Sequence, residues 1–296
     1  MILISGITGF IGTNLAKRLI EKDYAIIGLT KSKRELQIKN ISIPVFNTEN
    51  DNLEKIFQEN EVATVIHLAT EYVRDNNYSN QIYDTNFRLP CQLTELAIKY
   101  NCKLFINCES FFQKDEQSGY SHGYVDSKNL FREFLSKRSR KIKAVSLQLE
   151  HVFGQNDNTS KLIPHIINAA LNGESKLNLG FCKVLRDPIY IDDVIDAFLI
   201  VMETDKSLLQ KKYEVGLGES VYLTEIIKRL LEIIINKYPK SNLNYEKIEF
   251  SCDLNNQMLS SKADIEALTN IGWKPKHSIE EGLNATVDYY LNKLED

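Results

Sequence analysis

Short apolar runs and helical patterns alternate through the first 150 residues of the chain. Apolar runs typical of buried parallel strands cover residues 2–5, 25–29, 41–46, 63–70, 103–107 and 143–149. Between them, apolar residues recur at helical spacing in residues 15–22, 53–58, 86–97 and 124–138. Strands that alternate with helices, without a repeat or a low-complexity linker, predict an α/β protein with a doubly wound parallel sheet of the Rossmann type.

The second half of the chain has a less regular pattern. It predicts helices over residues 162–171, 194–204, 223–238 and 279–293, and a β-like stretch over residues 182–191. We expect a dinucleotide-binding domain of residues 1–152 and 184–217. Residues 153–183 and 218–296 would form a smaller substrate-binding lobe over the carboxyl edge of the sheet, where ligands bind in such folds.

Composition narrows the function classes. A formal net charge of −4 argues against a nucleic-acid partner, which requires a basic surface. Four leading apolar residues without a basic region predict neither a signal peptide nor a membrane span. Five scattered cysteines have no zinc spacing, so we expect free thiols in a reducing cytoplasm, most of them buried, and no metal site.

A glycine-rich turn follows the first strand and opens the first helix. Gly6 would permit the tight turn, Gly9 would let the backbone approach phosphates, and Gly12 would permit close packing of the helix. This order of strand, turn and helix places a pyrophosphate at a helix N-terminus. The predicted contacts include the neighbours Thr8, Phe10 and Ile11.

The end of the second strand bears on the choice of cofactor. NAD-selective sites carry an acidic residue there, which binds the adenosine ribose 2′-hydroxyl. Here the sequence from Thr30 to Arg34 has no carboxylate and is basic. A 2′-phosphate would be bound by Lys31, Ser32, Lys33 or Arg34, so we expect NADPH as the hydride donor rather than NAD. A solvated basic turn is the alternative interpretation. The end of the fourth strand, Leu68 to Thr70, should border the cofactor.

Tyr124 and Lys128 lie four residues apart and therefore on one face of a helix. A phenol has a pKa near 10, and a neighbouring ammonium group favours the phenolate. We expect Lys128 to bring the pKa of Tyr124 toward the working range for proton transfer to a carbonyl oxygen. Taken alone, the spacing also fits a solvated helix face.

Several motifs along the chain resemble the extended short-chain dehydrogenase/reductase family. They are Gly6, Gly9 and Gly12, then Leu68, Ala69, Asn86, Ser110, Tyr124, Lys128, Arg186, Asp187, Asp192, Asp193, Gly216, and residues 272–275. Within that family, residues 66–72, 107–112 and 149–154 are similar to nucleotide-4-keto-6-deoxysugar reductases of the CDP-abequose and paratose synthase type.

The resemblance assigns roles to residues. It implies that Tyr124 donates a proton to the C4 oxygen, that Ser110 hydrogen-bonds the same oxygen, and that Lys128 holds the nicotinamide ribose. It implies a cofactor contact at Asn86 and a nucleotide-sugar substrate. The substrate contacts it suggests are Glu71, Tyr72, Phe111, His151 and Arg186. A homodimer formed through the helices after Asn86 and near Tyr124 is also implied.

The residues that follow Ser110 indicate which of the family's reactions this chain could catalyse. Dehydratases carry adjacent Asp and Glu after the catalytic hydroxyl, whereas this chain has Phe111 and Phe112. The epimerase-reductases that make fucose nucleotides have a cysteine where Phe112 stands. We therefore expect reduction of the C4 ketone of a nucleotide-linked 4-keto-6-deoxyhexose. A nucleotide-sugar 4-epimerase and a non-catalytic NADP(H)-binding protein remain the alternatives.

Overall fold

The structure is a computed structural model that describes residues 1–31, 36–38, 41–72, 80–114, 122–180, 182–251 and 260–295. The chain divides into two compact units. The first contains residues 1–148 and 198–213, and the second contains residues 149–197 and 214–296. Residues 149–152, 184–197 and 214–217, predicted for the nucleotide-binding domain, group with the second unit. The predicted domain boundary is a functional one and stays a prediction.

Strand and helix bounds follow the order of the sequence. The strands are β1 Ile2–Ser5, β2 Ile26–Thr30, β3 Leu36–Ile38, β4 Ile41–Ile43, β5 Val45–Asn47, β6 Thr64–His67, β7 Leu104–Ser110, β8 Ala144–Leu149, β9 His151–Phe153, β10 Leu177–Leu179, β11 Leu185–Arg186, β12 Pro188–Tyr190, β13 Lys212–Val215, β14 Val221–Tyr222 and β15 Ile248–Phe250. The α-helices are α1 Phe10–Glu21, α2 Leu53–Glu59, α3 Asn80–Tyr83, α4 Leu89–Lys99, α5 His122–Ser136, α6 Leu162–Leu171, α7 Ile191–Glu203, α8 Leu223–Lys237, α9 Glu266–Thr269 and α10 Ile279–Glu295. A π-helical turn spans Asp84–Arg88, and 3₁₀ turns span Phe111–Lys114 and Tyr245–Lys247.

Seven strands form one parallel sheet in the order β13-β8-β7-β6-β1-β2-β5. Leu3, Val65 and Phe105 belong to a buried cluster that also holds apolar side chains of α2, α4 and α5. Side chains alternate between the two faces of a strand, and the neighbouring Ile4 and Ile66 are also fully buried. The sheet is therefore covered on both faces, which confirms the predicted doubly wound α/β fold.

The strand order reverses beside β1. The chain runs outward from β1 to β2 and β5, and then returns to place β6 on the other side of β1. Ser5 and His67 are paired in register at the carboxyl ends of β1 and β6. Ligands of doubly wound sheets bind in the crevice at such a switch point. The fold thus directs attention to the loops after these two strands.

Two local predictions were wrong. The predicted strand over residues 41–46 is divided at Pro44: β4 pairs with β3 in an antiparallel hairpin, and β5 joins β2 in the main sheet. Asn86 does not open a helix but lies within the π-helical turn. Pro90 lacks the N–H that would bond to the Asn86 carbonyl in an α-helix, which accounts for the wider turn there.

The second unit combines short strand pairs with helices. β9 pairs with β12 and β10 with β15 in parallel, while β11 and β14 are antiparallel. Helices α6, α8 and α10 pack on one another. In the described ranges of the whole chain, every helix is too short or too polar to span a bilayer. The described cysteines are free, two buried and two half-buried, while Cys252 lies outside the described residues.

Candidate active site

The three glycines of the turn after β1 are required for different structural reasons. Gly6 has a φ of +74°, and a Cβ there would lie 2.6 Å from the backbone nitrogen of Ala69. A Cβ on Gly12 would lie 2.2 Å from the Gly6 carbonyl oxygen. A Cβ on Gly9 would meet only that same oxygen, at 3.2 Å. Gly6 and Gly12 therefore serve the fold, whereas Gly9 leaves a solvent-exposed surface through which a ligand could approach the backbone.

Helix α1 begins at the switch point with Phe10 and Ile11 in its first turn, and Gly9 is its N-cap. Within the described part of the chain, no side chain caps this end by a hydrogen bond. The first N–H groups of a helix lack intrahelical partners and carry partial positive charge. The N-terminus of α1 can therefore hold a phosphate group beside the surface that Gly9 leaves open.

The loop after β6 lies directly against the glycine turn. Leu68 donates its N–H to the Ser5 carbonyl at 3.0 Å, and the Ala69 N–H approaches the Ser5 hydroxyl at 3.5 Å. The Ser5 hydroxyl is also 2.7 Å from Nδ1 of the buried His67. Burial, with a smaller contribution from the Lys128 charge, lowers the pKa of His67 to about 3, so this histidine is neutral. His67 is therefore a satisfied core residue, and Leu68 to Thr70 border the switch point.

At the end of β2, the Thr30 hydroxyl is 3.1 Å from that of Thr8 and so ties this strand to the glycine turn. Lys31 follows, and its Nζ lies 3.4 Å from a carboxylate oxygen of Glu71. The sequence shows no acid in this turn, but the fold brings one to it from the loop after β6. Ser32 and Arg34 lie outside the described residues.

Ser110, Tyr124 and Lys128 come together where β7 meets α5. All three are buried, with 9%, 3% and 6% of their surfaces exposed. Ser110 is hydrogen-bonded to the Tyr124 hydroxyl. Lys128 Nζ donates to the Cys108 carbonyl at 2.9 Å and lies 5.5 Å from the centre of the Tyr124 ring. Helical spacing and the end of a parallel strand thus assemble two hydroxyls and a cation in one buried place.

The electrostatics of this cluster differ from the sequence-based expectation. Burial, reinforced by Tyr72, raises the pKa of Tyr124 well above 10, although the hydrogen bond with Ser110 lowers it. Burial also lowers the pKa of Lys128, against the attraction of Cys108 and Glu109. The expectation that Lys128 brings the pKa of Tyr124 down is therefore wrong for this structure, because desolvation dominates. A phenol with a raised pKa is protonated at neutral pH and can act as an acid.

Side-chain amides fix the backbone of Ser110. Its N–H donates to Gln113 Oε1 at 2.9 Å, and its carbonyl accepts from Gln148 Nε2 at 3.1 Å. The adjacent Glu109 is buried and lies 3.7 Å from Arg132. Among the described residues, neither Glu109 carboxylate oxygen has a hydrogen-bond partner. Sequence reasoning did not single out Gln113 or Glu109, since only the folded turn at Phe111–Lys114 brings them to Ser110.

Asn86 joins the loop after β6 to α5. Its Oδ1 accepts from the Glu71 N–H at 2.8 Å, and its Nδ2 donates to the Glu71 carbonyl at 2.9 Å and to the Ser127 hydroxyl at 3.1 Å. Ser127 in turn donates to the Tyr124 carbonyl at 2.8 Å. The Tyr72 ring stacks on the Tyr124 ring, with their centres 4.9 Å apart. Asn86 thus holds the two tyrosines in register, and its predicted cofactor contact stays a prediction.

The remaining predicted substrate residues are divided between the two units. Phe111 is buried at the start of the 3₁₀ turn and contacts Phe112, with ring centres 4.0 Å apart. His151 and Arg186 belong to the second unit. Burial, followed by the charges of Arg186 and Lys161, lowers the pKa of His151 well below 6.5, so it is neutral near pH 7. Their roles toward a substrate stay predictions.

Asp187 and Asp193 have structural tasks within the second unit. The Asp187 carboxylate accepts backbone N–H groups of Leu217, Gly218 and Ala263 at 2.6 to 3.0 Å. A Cβ on Gly216 would lie 2.5 Å from the same carboxylate, which explains the glycine. Asp193 accepts the N–H groups of Lys276 and His277, while its carbonyl accepts from the Trp273 indole. Asp193 thus orders the turn at Lys276 and His277.

Comparison with known proteins places the chain among nucleotide-sugar enzymes. It is 34% identical over 290 residues to CDP-abequose synthase of Salmonella muenchen and 31% identical over 295 residues to that of Salmonella typhimurium. Each alignment covers 95% of both chains.

Solved structures share the fold over 99% of each chain. One is UDP-glucose 4-epimerase of Thermotoga maritima with UDP-glucose, with a TM-score of 0.83 at 24% identity. Another is UDP-glucuronic acid 4-epimerase of Bacillus cereus in complex with UDP-glucuronic acid and NAD, with a TM-score of 0.82 at 22% identity. The model of the NAD dependent epimerase/dehydratase family matches residues 2–216. The chain is therefore an enzyme that belongs to the NAD dependent epimerase/dehydratase family.

Proposed function

We propose that this enzyme uses NADPH to reduce the C4 ketone of a nucleotide-linked 4-keto-6-deoxyhexose. The observation that carries the proposal is the buried, protonated phenol of Tyr124, which is hydrogen-bonded to Ser110 and adjacent to Lys128. Sequence identity of 34% and 31% to two CDP-abequose synthases, over 95% of each chain, supports the hypothesis that the enzyme is a reductase.

The chain would bind the dinucleotide at the switch point. The N-terminus of α1 and the backbone at Gly9 would hold the pyrophosphate. Lys31 would face the adenosine ribose, where its ion pair with Glu71 is more than a third exposed on both sides and therefore weak. Lys128 would hold the nicotinamide ribose. The bound cofactor would supply a hydride to C4.

Hydride addition builds negative charge on the C4 oxygen, and the residues around it stabilise that charge. The Ser110 hydroxyl would donate a hydrogen bond to this oxygen, and the Lys128 ammonium would stabilise it through space. The Tyr124 phenol would then transfer its proton to the oxygen, which yields the alcohol and a phenolate. Phe111 and Phe112 follow Ser110 where dehydration would require a carboxylate pair, so a plain reduction fits this site best.

A 4-epimerase is the second candidate, and Glu71 is the observation that favours it. Its carboxylate lies 3.4 Å from Lys31 and could accept a hydrogen bond from the ribose 2′-hydroxyl of NAD. An epimerase of that kind would recycle bound NAD and consume no external cofactor. The two candidates therefore predict opposite behaviour in an assay of cofactor consumption.

The test is to measure NADPH and NADH oxidation with a panel of nucleotide-linked 4-keto-6-deoxyhexoses. We expect stoichiometric oxidation of NADPH with at least one sugar. Tight dinucleotide binding without oxidation of either cofactor would refute the reductase, and interconversion of C4 epimers without consumption would favour the epimerase.

Replacing Tyr124 with Phe tests the acid. This change removes the hydroxyl but keeps the ring and its stacking on Tyr72, so the dinucleotide Kd should stay within about twofold. Turnover should fall by roughly 10²- to 10⁴-fold, the usual contribution of a general acid. Tyr222→Phe changes an exposed tyrosine of the second unit and serves as the control. Full activity of Tyr124→Phe would mean that another group donates the proton.

We also propose that the enzyme is a homodimer in which α4 and α5 pack against their copies. Leu130 on α5 is 43% exposed, and a copy of α5 packed against this helix would cover it. Sedimentation of the wild type and of Leu130→Glu tests this. A wild type that sediments as a monomer contradicts it.

A further inference from the structure

The proposed reduction leaves Tyr124 as a phenolate that must regain a proton before the next turnover. The tyrosine is only 3% exposed, so water has little direct access to it. Its neighbours Ser110 and Lys128 are also buried. Lys128 Nζ is further engaged by the Cys108 carbonyl. A group that connects Tyr124 to solvent is therefore required, and this requirement rests on the proposed function.

Tyr72 is the neighbour that reaches both the buried phenol and the solvent. Its ring stacks on that of Tyr124 with a 21° angle between the planes and 4.9 Å between the centres. Its side chain is hydrogen-bonded to that of Tyr124. At the same time, Tyr72 is 47% exposed. A hydrogen bond between the two phenols provides a path for direct proton transfer.

The backbone around both tyrosines is held by one set of hydrogen bonds. Asn86 binds the N–H and carbonyl of Glu71, the residue before Tyr72. It also donates to Ser127, which donates to the Tyr124 carbonyl. The Tyr72–Tyr124 contact is thus a built feature of the fold rather than a chance approach of a surface side chain.

We propose that the Tyr72 hydroxyl relays a proton from solvent to the Tyr124 phenolate after each reduction. The Tyr72 O–H bond breaks as the new O–H bond on Tyr124 forms, and water then returns a proton to Tyr72. No oxidant or further reactant is needed. Burial raises the pKa of Tyr124, so its phenolate readily takes up a proton.

Tyr72→Phe tests the relay because it keeps the stacked ring and removes only the hydroxyl. In a single turnover, Tyr124 begins protonated, so the reduction should occur at the wild-type rate. Steady-state turnover should fall by roughly 10- to 100-fold, within the range of general acid–base effects. Small buffer acids such as imidazole should accelerate the slow variant in proportion to their concentration, while wild type and Tyr222→Phe should not respond.

A measurement without cofactor or substrate gives an independent readout. In protein carrying ¹³C-labelled tyrosine, the Tyr124 resonance is identified by its loss in Tyr124→Phe. Tyr72→Phe should shift that resonance and lower its titration midpoint, because the contact with Tyr72 raises the pKa of Tyr124. Tyr222→Phe should leave the resonance unchanged.

Three results would overturn the relay. The first is steady-state turnover of Tyr72→Phe at the wild-type rate without buffer dependence. The second is a raised KM at unchanged kcat, which would assign Tyr72 to substrate binding alone. The third is a Tyr124 resonance that ignores the loss of Tyr72. A wild type that reduces none of the sugars would refute the proposed function instead, and the resonance measurement would still decide whether the two hydroxyls are coupled.

Discussion

Substitutions in the glycine turn should separate stability from dinucleotide binding. In Gly12→Ala, the new Cβ would lie 2.2 Å from the Gly6 carbonyl oxygen and 2.7 Å from the Ile7 Cα. Both are backbone atoms, so helix α1 must move by about 1 Å to restore a contact of roughly 3.3 Å. Gly9→Ser adds a Cβ that meets only the Gly6 oxygen, at 3.2 Å.

The magnitudes follow from this geometry. Overpacking costs roughly 1–3 kcal/mol, and sometimes more when the backbone must shift. Because the clashing atoms are backbone, the upper end of about 3 kcal/mol applies. Alanine in place of glycine inside a helix returns about 1 kcal/mol, so Gly12→Ala should lose about 2 kcal/mol of unfolding free energy. Serine is a preferred N-cap residue, and Gly9→Ser should therefore stay within about 1 kcal/mol of wild type. Its side chain would occupy the phosphate approach and weaken dinucleotide binding by about tenfold or more, or 1.4 kcal/mol.

Urea unfolding without ligand and calorimetric titration with NADP and NAD measure the two effects. Gly180→Ala is the matched control, since a Cβ there meets no atom within 4 Å. Equal stability of Gly12→Ala and wild type would contradict the helix–turn contact. Two results for the Gly9→Ser variant would refute the assignment of Gly9 to phosphate binding. One is dinucleotide binding as tight as that of wild type, and the other is a loss of stability as large as that of Gly12→Ala.

Two further changes test electrostatic features. Glu71→Gln removes the carboxylate beside Lys31. It should raise the preference for NADPH over NADH by up to about fivefold, which corresponds to the free energy of an exposed ion pair. An unchanged ratio of the two Kd values would contradict a role for this pair in cofactor choice. Burial raises the pKa of Asp187 to about 6, so the folded state binds the extra proton and the contribution of Asp187 to stability falls as pH rises from about 4 to 6. Asp187→Asn removes that pH dependence but leaves backbone N–H donors without full acceptors. Its free energy of unfolding, measured in urea at pH 5, should therefore fall by roughly 1–3 kcal/mol. A pH dependence of stability identical to that of wild type would refute the assignment of this titration to Asp187.

The sequence by itself determined the fold class and identified the candidate reacting groups. Apolar runs bounded by turns describe strands that are buried on both faces, and this signal is local. The glycine turn and the four-residue spacing of Tyr124 and Lys128 are local too. Features that depend only on neighbouring positions in the chain could therefore be predicted without coordinates. Local exceptions had local causes that were missed, as at Pro44 and Pro90.

Tertiary structure alone decided the electrostatics of the site and which residues from distant segments surround it. The sign of the shift in the pKa of Tyr124 depends on desolvation by the whole fold, which spacing along one helix does not report. Glu71 reaches Lys31 only because β6 returns beside β1, forty residues later in the chain. Tyr72 stacks on Tyr124 because β7, the strand before α5, pairs with β6. Contacts between distant segments are set by the strand order, and no periodicity in the sequence encodes that order.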